Sequence, residues 1–436
     1  MIPAGGIIVK PWSRLRFADA NGRTYSKCNG AVRHVNADAI GAASGGQERG
    51  VGMDVVTVSR RGADRWLRRL HPWIYRSDVS GGGGAAGGVW VRDESGRRLG
   101  TGLWSPASEI SIRMLTTDTV ELDASFWRSR IENAAAYRAS LSPRSTAYRL
   151  VHGEADGLPS LIVDRYGPYV AAQFLSAGLE AHRGEIVEAL AAALAPAGMV
   201  ARNDVPVRRH EGLPRSVELL WGAVPAEVEV EEAGVRYIAD LWEGQKTGAF
   251  LDQRENRARA GELSRGRTLD CFAYHGSFAL HLARRADRVV AVDSSAPALE
   301  RARANAELNG RAIETVEANV FEFLRAEESA GRRYDVIVLD PPAFAKSRGS
   351  VGGALRGYKE INLRAMRLLA PGGHLCTFSC SFHVDRQRFR AMLEAAAADA
   401  GRSMRWIESR GQALDHPEVL QVPESGYLKG AILRGE

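Results

Sequence analysis

Residues 334–347 read YDVIVLDPPAFAKS. Val336–Leu339 is apolar without a break and runs straight into Asp340, Pro341 and Pro342. A strand with no polar alternation is buried on both faces, as in a parallel sheet covered by helices. The two prolines cannot donate to a ladder and fix the chain just past the strand. Asp340 is therefore expected at the carboxyl end of a central strand, where sheets of this kind bind ligands.

Working outward, the same pattern recurs. TLDCFAYHG (268–276), RVVAVDSS (288–295) and GHLCTFSCS (373–381) are short apolar runs that each end in a polar turn. Helical patterns lie between them. From about residue 234 the chain alternates strand and helix, which predicts an α/β fold with a doubly wound, mostly parallel, Rossmann-like sheet over 234–436. Residues 53–123 show short strands and turns, with a basic helix over Arg60–Leu70 carrying Trp66, Leu67 and Leu70 on one side. They predict a small β-barrel. Residues 124–233 predict a compact α+β unit that opens with a helix over Ala124–Leu141, a spacer or substrate-guiding module. Residues 1–52 are rich in Gly, Ala, Asn and Arg without a sustained period, and predict a poorly ordered extension. On this reading Met53 is an alternative start.

The chain has 436 residues with 45% hydrophobic and 25% charged residues, ordinary for a globular protein. Its net charge of +6 is uneven. Residues 1–150 hold 22 Lys and Arg against 13 Asp and Glu, and the remainder 36 against 39. The basic excess lies in the first third, which fits contact with a polyanion. No apolar run suggests a bilayer span, and the N-terminus lacks a secretory pattern. Four scattered cysteines (Cys28, Cys271, Cys376 and Cys380) make no disulfide framework and no metal motif. A reducing cytoplasm and free thiols are expected.

The turns at the strand ends carry the candidate chemistry. Gly276, at a helix start, allows backbone to approach a ligand. Asp293 ends the next strand, where a carboxylate accepts hydrogen bonds from ribose hydroxyls. A pyrophosphate would need more glycines than a turn holding Phe272, Tyr274 and His275. A nucleoside without phosphates fits better, and S-adenosylmethionine is one that carries a charged amino acid, which Asp270 could face. Asp340 followed by Phe344 suits a flipped-out base, by edge hydrogen bonds and stacking.

Together these motifs resemble the bacterial family of class I methyltransferases that act on carbon 5 of a cytosine in large-subunit ribosomal RNA. The matching stretches are GQKTGAFLDQRENR (244–257), DCFAYHGSFA (270–279), VDSSAPALERARANAELNG (292–310), DPPAFAKS (340–347) and SCSFHV (379–384). HPWIYRSDV (71–79) resembles the start of that family's RNA-binding PUA domain, HGEADGLPSLIVDRYG (152–167) its central domain, and DHPEVLQVPESGYLKG (415–430) its C-terminal end. The resemblance runs from about Met53 to the terminus. It implies that Gln253 with its neighbours in FLDQR, Asp270 and Gly276 line the methionine end of S-adenosylmethionine, that Asp293 holds the ribose, and that Phe272 and Asp340 also contact the cofactor. Asn319 stands where the family has an aspartate facing the adenine amine. The residue before His71 departs from the family's glycine. Pro341, Pro342, Phe344, Lys346 and His383 would meet the RNA base.

The resemblance also gives Cys380 a role. Carbon 5 of cytosine is a poor nucleophile until a thiolate adds to carbon 6, so the reaction needs an accessible cysteine. Cys380 lies at the turn after its strand, Cys376 and Cys271 lie inside strands, and Cys28 lies in the extension. Cys380 is the expected nucleophile, and Asp340 the group that contacts ring nitrogen 3 or the exocyclic amine. Relatives with a second cysteine after the first proline have it where Pro342 stands here, so the base for the carbon 5 proton is open. The weighed alternatives are methylation of a guanine or adenine nitrogen without a covalent intermediate, a non-catalytic RNA-binding ribosome assembly factor, and a small-molecule methyltransferase. The expected partner is large-subunit ribosomal RNA, with no membrane and no metal. A homodimer is among the options for assembly.

Overall fold

The computed structural model describes residues 16–18, 24–28, 31–34, 53–141, 144–345 and 348–436. The run Val336–Leu339 lies in the strand Tyr334–Leu339 and is fully buried. That strand belongs to a seven-stranded sheet made of β1 (Arg267–Cys271), β2 (Arg288–Asp293), β3 (Glu314–Glu317), β4 (Tyr334–Leu339), β5 (Leu369–Ser379), β6 (Met404–Arg410) and β7 (Lys429–Gly435). The strand order is β3-β2-β1-β4-β5-β7-β6. The first five run parallel, and β7 is antiparallel to both β5 and β6.

The side chains of β4 divide with a period of two. Ile337 and Leu339 pack with Tyr358, Ile361 and Ala365 of the helix Val351–Leu368 and with Phe389 and Leu393 of the helix Arg386–Ala400. Val336 and Val338 pack on the other face with Ala260 of α1 (Arg254–Leu263) and Phe278, Ala279 and Leu282 of α2 (Ser277–Leu282). Each such side chain removed from water contributes roughly 1.5–3 kcal/mol, which explains why β4 tolerates no polar residue after Asp335. Strand order reverses between β1 and β4, so the crevice expected of a doubly wound sheet opens at their carboxyl ends. The register pairs Cys271 with Leu339 and Leu339 with Thr377. The turns after β1, β4 and β5 therefore lie side by side.

Residues 53–436 form one compact unit. At its start, the strands Asp54–Val58, Trp73–Ile74, Val79–Gly82, Gly87–Asp93, Arg98–Trp104 and Ile112–Thr116 make one six-stranded sheet around a core that includes Val56, Val89 and Ile112. The helix here spans Arg60–Leu67 and ends before Leu70, which is exposed with φ of 55°. The expected apolar side of that helix thus does not include Leu70. The next unit is a five-stranded sheet in sequential order, covered by the helices Ala124–Leu141 and Arg183–Leu194. The hairpin Val228–Glu232/Val235–Ala239 crosses the boundary expected at residue 234 and packs with Leu280 of α2 and Ala306 of the helix Ala296–Leu308. Among residues 1–52, the strands Arg16–Ala18, Thr24–Cys28 and Ala31–His34 form an antiparallel sheet, and the rest lies outside the described residues.

Candidate active site

A cavity of about 530 Å³ opens in the crevice at the strand ends. Gln253, Phe272, Asp293, Asp340, Pro341, Pro342 and Cys380, all singled out above, line it together. Ligand pockets of this size hold a nucleoside-sized molecule.

Cys380 follows the last residue of β5 and is half-buried, while Cys376 and Cys271 are fully buried. Burial pushes the Cys380 thiol up, and the Asp340 and Asp252 charges push the same way, while Lys246 and Lys429 oppose them. Burial pushes Cys376 up to about 12 and Cys271 well above its ordinary range, so both stay inert thiols. The turn after Cys380 is tied down from below. Ser381 Oγ accepts from Ala345 N at 3.2 Å and shares a hydrogen bond with Tyr358 Oη at 2.9 Å. These contacts fix the turn that follows Asp340 to the turn that carries Cys380.

Asp340 Oδ1 accepts from Gln253 Nε2 at 2.8 Å. Gln253 Oε1 in turn accepts from Asn256 Nδ2 at 2.6 Å, which sets the amide orientation. Burial and then the charge of Asp252 push Asp340 up to about 6, against the Gln253 hydrogen bond and the Lys246 and Arg257 charges. A carboxyl poised near 6 can both hold and release a proton at physiological pH.

Asp293 ends β2 and lines the cavity. It accepts from Tyr274 N at 2.9 Å and Ser295 N at 3.0 Å, so its oxygens hold two turns in place beside the space they face. Phe272 and Tyr274 both sit at positive φ, 65° and 50°, a strained backbone of the kind found at ligand sites.

Other expected residues stand elsewhere. Gly276 has φ of 83°, and a Cβ there would lie 2.9 Å from the Cβ of Ala302. Its missing side chain makes room for the helix Ala296–Leu308, not for a ligand, and it is not among the cavity residues. Asp270 is buried beneath the cavity, with Oδ2 accepting from Ala279 N at 2.9 Å, and burial holds its carboxyl well above the usual range. Asn319 caps the helix Val320–Ser329 through Oδ1 and does not line the cavity. The Phe344 ring stacks on Tyr358, centroids 4.6 Å apart, and packs near Phe321, so it belongs to the core beneath Pro342. His383 lies against Phe382 outside the cavity wall. Lys346 lies outside the described residues.

The cavity also holds residues that no single-residue signal picked out, although most fall within the quoted motifs. Lys246 Nζ donates to Asp252 Oδ2 at 2.7 Å, and Tyr427 Oη donates to the same oxygen at 2.7 Å. Burial alone would raise Asp252, but Lys246 and His416 hold it well below the usual carboxylate range. Arg257 forms a two-pronged pair with Glu232, at 2.7 and 2.5 Å, and His281 Nε2 lies 3.1 Å from the same carboxylate. The loop carrying Lys246 is fastened by the preceding unit. Thr247 Oγ1 donates to Asp164 Oδ2 at 2.6 Å, and Ala249 N donates to Tyr166 Oη at 3.1 Å. Asp164 is itself paired with Arg149.

Asp252 Oδ1 and Asp270 Oδ1 are buried and have no hydrogen-bond partner among the described residues. Three cavity carboxylates, Asp252, Asp293 and Asp340, face only Lys246 and Arg257, each already paired. This carboxylate-bearing lining fits a nucleoside with cationic groups. S-adenosylmethionine, a nucleoside that carries a sulfonium and an ammonium, fits it.

A family model described as S-adenosylmethionine-dependent methyltransferase matches residues 172–434, and one described as a PUA-like domain matches residues 56–117. Ribosomal RNA large subunit methyltransferase I of Shewanella denitrificans is 43% identical over 386 residues, which is 86% of this chain and 97% of that protein. The protein of the same name from Shewanella amazonensis is 43% identical over 88% of this chain and 100% of its own length. The crystal structure of SMU.776 complexed with SAH matches with a TM-score of 0.76 and 21% identity over 87% of this chain and 99% of that one, which shows the shared fold. The chain belongs to the S-adenosylmethionine-dependent methyltransferases, within the family of ribosomal RNA large subunit methyltransferase I.

Proposed function

We propose that this protein methylates carbon 5 of a cytosine in large-subunit ribosomal RNA through a transient bond between Cys380 and the base. The observation that carries the reading is that Cys380 and Asp340 line one cavity with Gln253 and Asp293. The names of the relatives supply the RNA class.

In this reaction the Cys380 thiol first releases its proton to water in the cavity. The thiolate lone pair then adds to carbon 6, and the electrons of the 5,6 double bond move toward ring nitrogen 3. Asp340 gives nitrogen 3 a proton as charge builds there, drawn from the minor protonated fraction that a pKa near 6 leaves at neutral pH. Bound S-adenosylmethionine supplies the electrophilic methyl group that carbon 5 accepts. Loss of the carbon 5 proton to water re-forms the double bond, expels the thiolate and lets Asp340 recover its proton. Gln253 holds the Asp340 carboxyl in the orientation this requires. Pro341 and Pro342 form the wall against which the base would lie. A cytoplasmic setting suits the free thiol.

The test is mass mapping of large-subunit ribosomal RNA from a strain lacking the gene, complemented with wild type or Cys380→Ala. One 5-methylcytosine should disappear, return with wild type and stay absent with the variant. Loss of a nitrogen-methylated base instead, or rescue by Cys380→Ala, would overturn the mechanism.

A further inference from the structure

Lys429 is a buried cation that the reaction above does not use. It is 5% exposed, and no carboxylate lies within ion-pair distance of it among the described residues. Its Nζ donates to two backbone carbonyls, Ser381 O at 2.7 Å and Tyr427 O at 2.8 Å. Lys429 also pairs in register with Ser379, across β5 and β7. The ammonium is thus held against the turn on which Cys380 sits, through the carbonyl of the residue that follows it.

Burying an ammonium without a counter-ion is costly, and a chain retains one only where something offsets the cost. Two carbonyls supply part of the offset. The candidate for the rest is the sulfur of Cys380, the leading charge partner of Lys429, which carries a full negative charge only during the reaction.

We propose that Lys429 is a positioning residue for the Cys380 thiolate, fastening the turn that carries the sulfur and supplying a positive charge there that no carboxylate has already claimed. The inference rests on Cys380 being the nucleophile. The other charges acting on Cys380 do not fill this role. Lys246 favours the thiolate, but it is paired with Asp252, whose charge opposes it, and Asp340 opposes it too. Around Lys429 itself, Cys380 is the leading charge partner, while Asp385 and Arg386 act with opposite signs. Burial pulls the Lys429 ammonium down to about 8, so it is still largely charged at neutral pH.

The test reads the thiol and not turnover. Alkylation of Cys380 by iodoacetamide is followed from pH 6 to 10 in the full-length protein, localised by fragment-ion mass spectrometry, for wild type, Lys429→Met, Lys429→Gln and Lys429→Arg. Glutamine keeps a donor for one carbonyl and loses the charge, so it serves if the methionine variant does not fold. Removal of the charge should raise the alkylation pKa by about one unit. Because a more basic thiolate is intrinsically more nucleophilic, the rate at pH 7.5 should fall roughly three- to fivefold and not tenfold. Lys429→Arg should stay near wild type. An alkylation profile in folded Lys429→Gln or Lys429→Met that matches wild type would overturn the proposal, since a merely structural role would leave the profile in place. Its failure is separable from failure of the proposed function, because methylation by Cys380→Ala would refute the nucleophile whatever the alkylation profiles show.

Discussion

Replacing Asp340 by Asn should make the protein more stable while abolishing methylation. Folding buries the Asp340 carboxyl beside Asp252 and holds it at about 6, against 3.8 ordinarily. At about 1.4 kcal/mol for each tenfold, keeping it ionised at neutral pH costs the native state about 3 kcal/mol. The sign follows from proton counts. Between pH 3.8 and 6 the native state holds the proton that the unfolded chain has released, so stability falls as pH rises through that window, and the loss is complete by about pH 7. Asparagine keeps an acceptor for Gln253 Nε2 and never ionises. Asp340→Asn should therefore gain up to about 3 kcal/mol at pH 7.5 and less than about 1 kcal/mol at pH 4. For a chain of this size that is an increase of about 3 °C in Tm at the higher pH. Thermal unfolding of both proteins at pH 7.5 and pH 4, with methylation assayed in parallel, checks it. A variant that melts at or below wild type at pH 7.5 would refute the idea that the carboxylate is held there at a cost.

Asp293→Ala should weaken S-adenosylmethionine binding about 10- to 100-fold by titration calorimetry, the loss of charge-assisted hydrogen bonds, and unchanged affinity would remove Asp293 from the ribose site. Glu232→Gln should destabilise the protein by about 3–5 kcal/mol at pH 7, because it leaves Arg257 buried without its partner. Burial alone would raise Glu232, but Arg257 and His281 hold it well below the carboxylate range. Its stabilisation is present above pH 4.5 and drains as pH falls toward its native value, so the gap in urea midpoints should narrow in acid. A gap under about 1 kcal/mol at pH 7 would show that the pair is not holding the hairpin to α1.

The central strands were legible because burial on both faces leaves a mark in composition. Val336–Leu339 and the strand ending at Asp293 are such runs. The sheet's edge strand Glu314–Glu317 and the direction of Lys429–Gly435 leave no such mark. Glu314–Glu317 reads ETVE, an edge strand half open to water, and Lys429–Gly435 runs antiparallel where a crossover would predict parallel. Asp293, Asp340, Gln253 and Cys380, which line one cavity, stood out in the sequence because each ends a strand or stands in a specific motif. Gly276 and Phe344 stand outside the cavity lining for a common reason. A helix-start glycine and an aromatic after a proline turn look the same in sequence whether they face a ligand or a neighbouring helix, and here both face helices. Lys246, Asp252 and Tyr427 carry no individual signal, since their role comes from a contact between residues 175 apart in the chain.

The grip of Asp164 and Tyr166 on the loop 247–249 has a consequence for how such a protein could be recombined. A catalytic half exchanged between relatives at residue 234 would arrive without the clasp that sets Lys246 and Asp252 in the cavity. The heritable module is larger than the methyltransferase fold. It reaches back to the strand Leu161–Tyr166, and a crossover that respected function would fall on the N-terminal side of that strand.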